Sequence, residues 1–120
     1  MAASKTARVL ESGLTLTAGA GDDTGTALDL TDSYGGEIHE KITNGGTAPT
    51  IAGRIQIEVS ADNSEWYKKG VQLVGNTDNS GEESQSLHIG IGVMYLRTVQ
   101  GSNTGQDVTV DIDYGEVEGV

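Results

Sequence analysis

Asp107-Val108-Thr109-Val110-Asp111-Ile112-Asp113-Tyr114 carries an apolar side chain at every second position and a polar one between. Side chains of an extended chain point alternately to opposite faces. This rhythm therefore buries one face and wets the other, and the segment reads as a β-strand. The period of two recurs upstream. Ile55, Ile57 and Val59 alternate with Arg54, Gln56 and Glu58, and Ile38, Glu40 and Ile42 alternate with His39, Lys41 and Thr43. Leu14 and Leu16 flank Thr15, and Leu28 and Leu30 flank Asp29. Further strands are expected over residues 67–74, 84–91 and 94–100, the last two divided by Gly90 and Gly92.

Eighteen glycines interrupt the chain so often that only residues 54–69 run sixteen positions without one, and that window already reads as a strand. Clusters of turn formers lie between the strands, at residues 18–25, 44–49, 61–64, 75–81 and 101–105. Gly and Asn reach positive φ at low cost, and Asp, Asn and Ser bond their own backbone. No crossover helix is available, so the strands must pair antiparallel. The expected fold is an all-β, antiparallel β-sandwich of about eight short strands, jelly-roll or immunoglobulin-like. It is expected to occupy residues 13–120 as a single domain.

The first twelve residues differ in kind, having no glycine until Gly13. They are expected to form an N-terminal arm, as a helical turn or an extended segment, in which Lys5, Arg8, Val9 and Leu10 reach a neighbouring subunit. A frayed terminus is the bland alternative.

Composition narrows function. Within 120 residues no run is long and apolar enough to cross a membrane, and no apolar stretch follows the basic start as in a secretory signal, so cytosolic synthesis is expected. Without cysteine there are no disulfides, thiolate nucleophiles or Cys-ligated zinc sites. A net charge of −11 repels a phosphate backbone, which argues against nucleic-acid binding. The apolar supply is 26 Leu, Ile and Val with one Trp, four Tyr and no Phe, enough for a thin core that oligomerisation or docking is expected to extend.

No reactive centre is legible, and no enzyme is expected. A serine triad would need His39 or His88, and both fall on polar strand faces; no Gly-x-Ser-x-Gly elbow occurs. Asp22-Asp23 and Glu82-Glu83 are loop pairs with no hydrophobic pocket in sequence to raise one pKa. Asp111 and Asp113 share a strand face and could bridge a calcium or magnesium ion to a loop, but a solvated acidic face is the better account, so no metal and no cofactor are expected. Gly19-Ala20-Gly21 and Gly90-Ile91-Gly92 lack the third glycine and the helix of a dinucleotide site. Trp66 and Tyr67, followed by Lys68-Lys69, could form an aromatic platform beside two cations, as in a carbohydrate or peptide site; the alternative is that Trp66 anchors the core.

The stretch Ile42-Thr43-Asn44-Gly45-Gly46-Thr47-Ala48-Pro49-Thr50 and the later Ile55-Gln56-Ile57-Glu58-Val59-Ser60-Ala61-Asp62-Asn63-Ser64-Glu65-Trp66-Tyr67 resemble small virion proteins of tailed bacteriophages. Val93-Met94-Tyr95-Leu96-Arg97 and Gly101-Ser102-Asn103-Thr104-Gly105-Gln106-Asp107-Val108-Thr109-Val110 continue the similarity, which spans roughly residues 37–117. At Asp62-Asn63 this chain has Asn where similar sequences tend to have Gly; Asn tolerates the left-handed region, so the turn is expected to survive. The resemblance implies a sandwich that assembles as a homo-oligomer on a capsid, as decoration or cement proteins do, or within the neck or tail. It implies no catalytic residues. Under it the expected partner is the major capsid protein or another virion protein, and the expected place is the capsid exterior after synthesis in the host cytoplasm. A carbohydrate-binding module using Trp66 and Tyr67 is the reading from a different class.

Overall fold

The alternating segment near the C-terminus forms β9 (Val108–Glu118), which is hydrogen-bonded on both sides, to β1 (Ser4–Leu16) and to β4 (Ser33–Asn44). The computed structural model describes residues 4–118. The other strands are β2 (Asp23–Thr24), β3 (Leu28–Asp29), β5 (Arg54–Ser60), β6 (Tyr67–Val74), β7 (Glu82–Ile89) and β8 (Tyr95–Gly101). One sheet has the order β1-β9-β4-β7. The other runs β2-β8-β5-β6, with β3 also on β8.

These orders decide between the two expected sandwiches. The first strands pair with the last in reverse sequence: β1 with β9, β2 and β3 with β8, β4 with β7, β5 with β6, all antiparallel. The chain is thus one long antiparallel ribbon, and rolling it up brings β9 against β4 and β8 against β5. That is the double-sheet jelly roll. Nine strands occupy eight positions because β2 and β3 are two pieces of one strand. Between Thr24 opposite Val99 and Leu28 opposite Leu96 the β2–β3 side has one residue more than β8, and Gly25 still donates its N–H to the Thr98 carbonyl at 2.8 Å.

The core lies between the sheets and is built from the residues that the alternation selects. Ile38, Ile42, Val108, Val110, Ile112 and Tyr114 come from one sheet, Ile55, Ile57, Leu73 and Leu96 from the other, with Leu16, Leu30 and Ile89 closing the ends. Two buried asparagines hold the crossings between sheets. Asn44 donates through Nδ2 to the carbonyls of Asn76 and Asp78, each at 2.9 Å, which fixes the β6–β7 connection. Asn103 donates to the carbonyls of Leu16 and Gln106, each at 3.0 Å, tying the β8–β9 loop to the end of β1. At the β5–β6 turn Asn63 stands at φ 61°, and the Asp62 carboxylate accepts N–H bonds from Glu65 and Ser64 that hold it below the usual carboxylate range.

The N-terminal boundary differs from expectation. The segment expected as an arm is, from Ser4 onward, an edge strand, in register with β9 from Ser4 opposite Glu118 to Val9 opposite Asp113; residues 1–3 lie outside the described residues. Two bulges follow, and at the second Gly13 (φ 62°) gives its N–H to Asp111 Oδ1 at 2.9 Å. What makes this stretch a strand is the ladder offered by β9 rather than its own pattern, since most of its side chains are exposed.

One inward position on β4 is not apolar. Glu40 is buried among Ile38, Ile42 and Ile112, accepting one bond from Gln85 Nε2 at 3.1 Å, while its other oxygen has no partner. Gln85 Nε2 also donates to the Val71 carbonyl of the facing sheet at 2.9 Å, so the pair bridges the open side between β7 and β6. Burial pushes the Glu40 carboxyl up to about 7, against the smaller downward pull of Gln85. A folded-state pKa above the unfolded value of 4.5 means the acid form is favoured by folding, so stability falls as pH rises from about 4.5 through 7 and is then level. The full effect is on the order of 3 kcal/mol. Glu40→Gln, which mimics the acid form, is expected to melt higher than wild type at pH 8 and equally at pH 4.5, as read by thermal unfolding followed by circular dichroism.

Candidate functional site

A jelly roll presents three kinds of surface: the outer faces of its sheets, its strand edges and its loop ends. Candidate side chains occur on the first two. In β1 the four residues expected to act together are divided by the strand's alternation. Lys5 and Val9 point outward, Val9 being 66% exposed beside Asp113. Arg8 turns inward and forms an ion pair with the buried Glu116, and Leu10 packs against the core. Arg8 is thus committed within the domain, because removing it strands the buried Glu116 carboxylate. Arg8, Leu10 and Glu11 also border a gap of about 520 Å³ between β1 and residues 25–28, where burial, and secondarily Asp23, raise the Glu11 carboxyl.

The outer face of the β1-β9-β4-β7 sheet carries a row that only register could reveal. Val9, Asp113, His39 and Ser86 lie side by side across the four strands. His39 Nδ1 and Ser86 Oγ are 2.7 Å apart. These are the residue types of a hydrolytic triad, yet the geometry is that of a surface pair. Among the described residues no hydrogen bond or ion pair joins Asp113 to His39, and Asp113, His39 and Ser86 are all open to solvent. A nucleophile there has no orienting carboxylate on its base and no dry, preorganised donors for a developing oxyanion. His88, one row along, is exposed opposite Glu37. Asp111 is held by Gly13, and the described residues contain no group of three acidic or histidine side chains suited to a cation.

The second outer face holds the aromatic pair. Trp66 precedes β6 and lies under the Arg97 guanidinium, 4.2 Å from ring centroid to Cζ. Arg97 Nε also donates to Glu58 Oε1 at 2.8 Å, its neighbour across β5 and β8. One indole face is therefore covered from within, at a stabilisation of roughly 1 kcal/mol for a partly exposed cation–π contact. Tyr67 is 65% exposed and borders a different hollow, with Val59, Ser60, Ala61, Gly92 and Val93. Trp66 is not among the residues lining that hollow, and Lys68 lies opposite Glu58 while Lys69 lies opposite Ile57. Nor does Trp66 belong to the core cluster. Arg97, the base that sequence reasoning passed over, is the residue that organises this face. Its only sequence signal was being the lone base of residues 70–120.

No protein-family model and no curated protein matches the chain. Solved structures do. A chain of infectious bursal disease virus, Gx strain, superposes with a TM-score of 0.66 at 6% identity, over 97% of this chain and 32% of that one. The SPBc2 prophage-derived protein YomS gives 0.55 at 16% identity, over 96% of each chain. Family 16 Carbohydrate Binding Module-2 gives 0.51 at 9% identity, over 82% of this chain and 72% of that one. At such identities the likeness is one of fold, and this chain spans about a third of the viral chain's length. An all-β sandwich of this kind is thus shared with viral and prophage-derived proteins and with a sugar-binding module.

The exposed His39–Ser86 pair gives a direct chemical test. A fluorophosphonate probe is expected to leave Ser86 unmodified at neutral pH, read by intact-protein mass spectrometry; a single-adduct mass lost in Ser86→Ala would mean an activated serine.

Proposed function

We propose that the protein is a non-enzymatic structural component of a tailed-bacteriophage virion that decorates the outer capsid shell and bridges neighbouring major capsid subunits. The observation that carries this reading is the open edge of β1. From Ser4 to Val9 the strand is regular, paired with β9 on one side and terminal in its sheet on the other. A regular unpaired edge is a template for strand addition by another chain, and the bulges after Val9 limit that template to one end of the sandwich.

Charge supports the same assignment. The chain is strongly acidic, yet Ser4–Val9 carries two bases, Lys5 and Arg8, and no acid. Since Arg8 is paired with Glu116, Lys5 is the base offered outward, and the acidic remainder keeps the domain away from packaged nucleic acid. The residue resemblance to small phage virion proteins supports the location, and the fold shared with viral and prophage-derived chains is compatible with it. Function is then a matter of mass action: subunits that bind only the assembled lattice, or one another upon it, raise the free energy needed to open it. A place in the neck or tail uses the same edge and is separated from this one by location alone.

The test is cryo-electron microscopy of native particles together with occupancy of the variant Lys5→Glu/Val9→Ser, whose changes lie on exposed side chains and are expected to cost the fold only about 0.5 kcal/mol. Density on the shell exterior and loss of most of the variant's occupancy, at an unchanged melting temperature, are expected. Density confined to neck or tail would move the protein there, and full occupancy by the variant would remove the β1 edge from the interface.

A further inference from the structure

Beyond the β1 edge, the outer face of the same sheet carries a groove of about 590 Å³ at the end where β4 begins and β9 finishes, and we propose that it binds a pyranose ring of a neutral oligosaccharide. The volume falls in the roughly 300–1,000 Å³ range of small-ligand sites. Its floor is Gly115 with Ala7 beside it; its walls are Tyr34 and Val117; and Lys5, Glu37 and His88 stand at its rim. It is an apolar spot on a polar face, since the next rows are Asp113, His39 and Ser86, then Asp111, Lys41 and Ser84.

Two independent features build it. Tyr34 lies in a bulge between Ser33, opposite Glu118, and Gly36, opposite Glu116, and bulges re-aim side chains. This bulge needs its glycine: Gly35 has φ 93°, and a Cβ there would come within 2.6 Å of the Ile89 carbonyl. Tyr34 is left 55% exposed over the groove. Gly115 is the second feature. It sits within β9, faces outward, has no positive φ, and a Cβ there would meet nothing closer than the Glu37 carbonyl at 3.9 Å. Neither backbone conformation nor packing requires glycine at this position, and glycine weakens a strand; what its missing side chain leaves is room for close approach of a ligand.

The surroundings select the occupant. A protein partner docking here would need about 1,000 Å² of buried surface with an apolar centre wider than this single spot, which polar rows bound. Around the groove lie side chains of both charges instead. A sugar ring needs less: its C–H face covers an aromatic ring while its hydroxyls bond the rim, here the Glu37 carboxylate as acceptor and Lys5 and His88 as donors. The net charge of −11 disfavours polyanionic glycans, which leaves neutral ones.

The full chain, labelled with nitrogen-15, is titrated with cellohexaose, maltohexaose and triacetylchitotriose, and with trigalacturonate as the anionic comparison. Saturable shifts centred on Ala7, Tyr34, Glu37 and Gly115 are expected with at least one neutral sugar and more weakly with trigalacturonate. Tyr34→Ala should weaken that binding about tenfold or more. Gly115→Val should abolish it while the melting temperature holds or rises, because valine suits a strand and meets no clash. Absence of shifts with all three neutral sugars, shifts centred on Trp66 and Tyr67, or undiminished binding by Gly115→Val would each overturn the assignment. The groove and the β1 edge share Lys5 and Ala7, but Tyr34→Ala and Gly115→Val leave Ser4–Val9 unchanged, so the failure of the groove and the failure of the edge are distinguishable.

Discussion

Pairing of β9 on both of its sides is the constraint from which the rest of the domain follows. Its inward face supplies Val108, Val110, Ile112 and Tyr114, all buried, so this one strand donates a third of the apolar core cluster while closing the ladder between β1 and β4. A slip of one residue would turn those four side chains to solvent and Asp111 and Asp113 inward, at the cost of two unpaired buried carboxylates. Register is thereby fixed for β1 and β4 as well. Most contacts in such a wrapped ribbon join residues distant in sequence, which makes folding slow to nucleate and places a premium on well-made loops. The buried Asn44 and Asn103 meet that need by giving the two crossings fixed partners.

Burial of both inner faces leaves chemistry only on the outside. Glu40, buried between β4 and its neighbours, is held in a place where its charge is penalised, and its contact with Gln85 serves the junction between sheets. The other buried acid, Glu116, is neutralised by Arg8. Neither has access to a substrate. The groups that do face water are arranged in flat cross-strand rows, where hydrogen bonds such as His39 to Ser86 form easily and desolvation does not.

How legible the molecule was in its sequence depends on whether each strand has one wet face. β9 and the central part of β4 do, and their period of two locates them within a residue or two; β5 keeps the same alternation of residue types although its Gln56 and Ser60 are buried. β1 does not: it is an edge strand of an outer sheet, exposed on most positions, and only the ladder of β9 makes it extended. The start of β4 was hidden for another reason, since the bulge at Tyr34-Gly35-Gly36 breaks the alternation there. Site geometry was less legible still. Trp66 under Arg97 and His39 beside Ser86 join residues from separate strands, and nothing local to any of them announces the partner.

Two neighbouring glycines at the Tyr34 groove, Gly36 and Gly115, make the distinction between structural and functional residues concrete. Gly36 faces the sandwich interior, where a Cβ would overlap the Gly115 carbonyl and crowd the Tyr114 ring, so packing alone accounts for it. Gly115, its diagonal neighbour on β9, meets no such limit, and a β-branched residue there would strengthen the strand that the domain most depends on. A glycine that costs stability at the most consequential strand, without relieving any strain, is best explained by what must pass over it. The same reasoning applied to the other outward positions of β9, Thr109, Asp111 and Asp113, finds ordinary strand or solvated residues, which confines the unexplained cost to the groove.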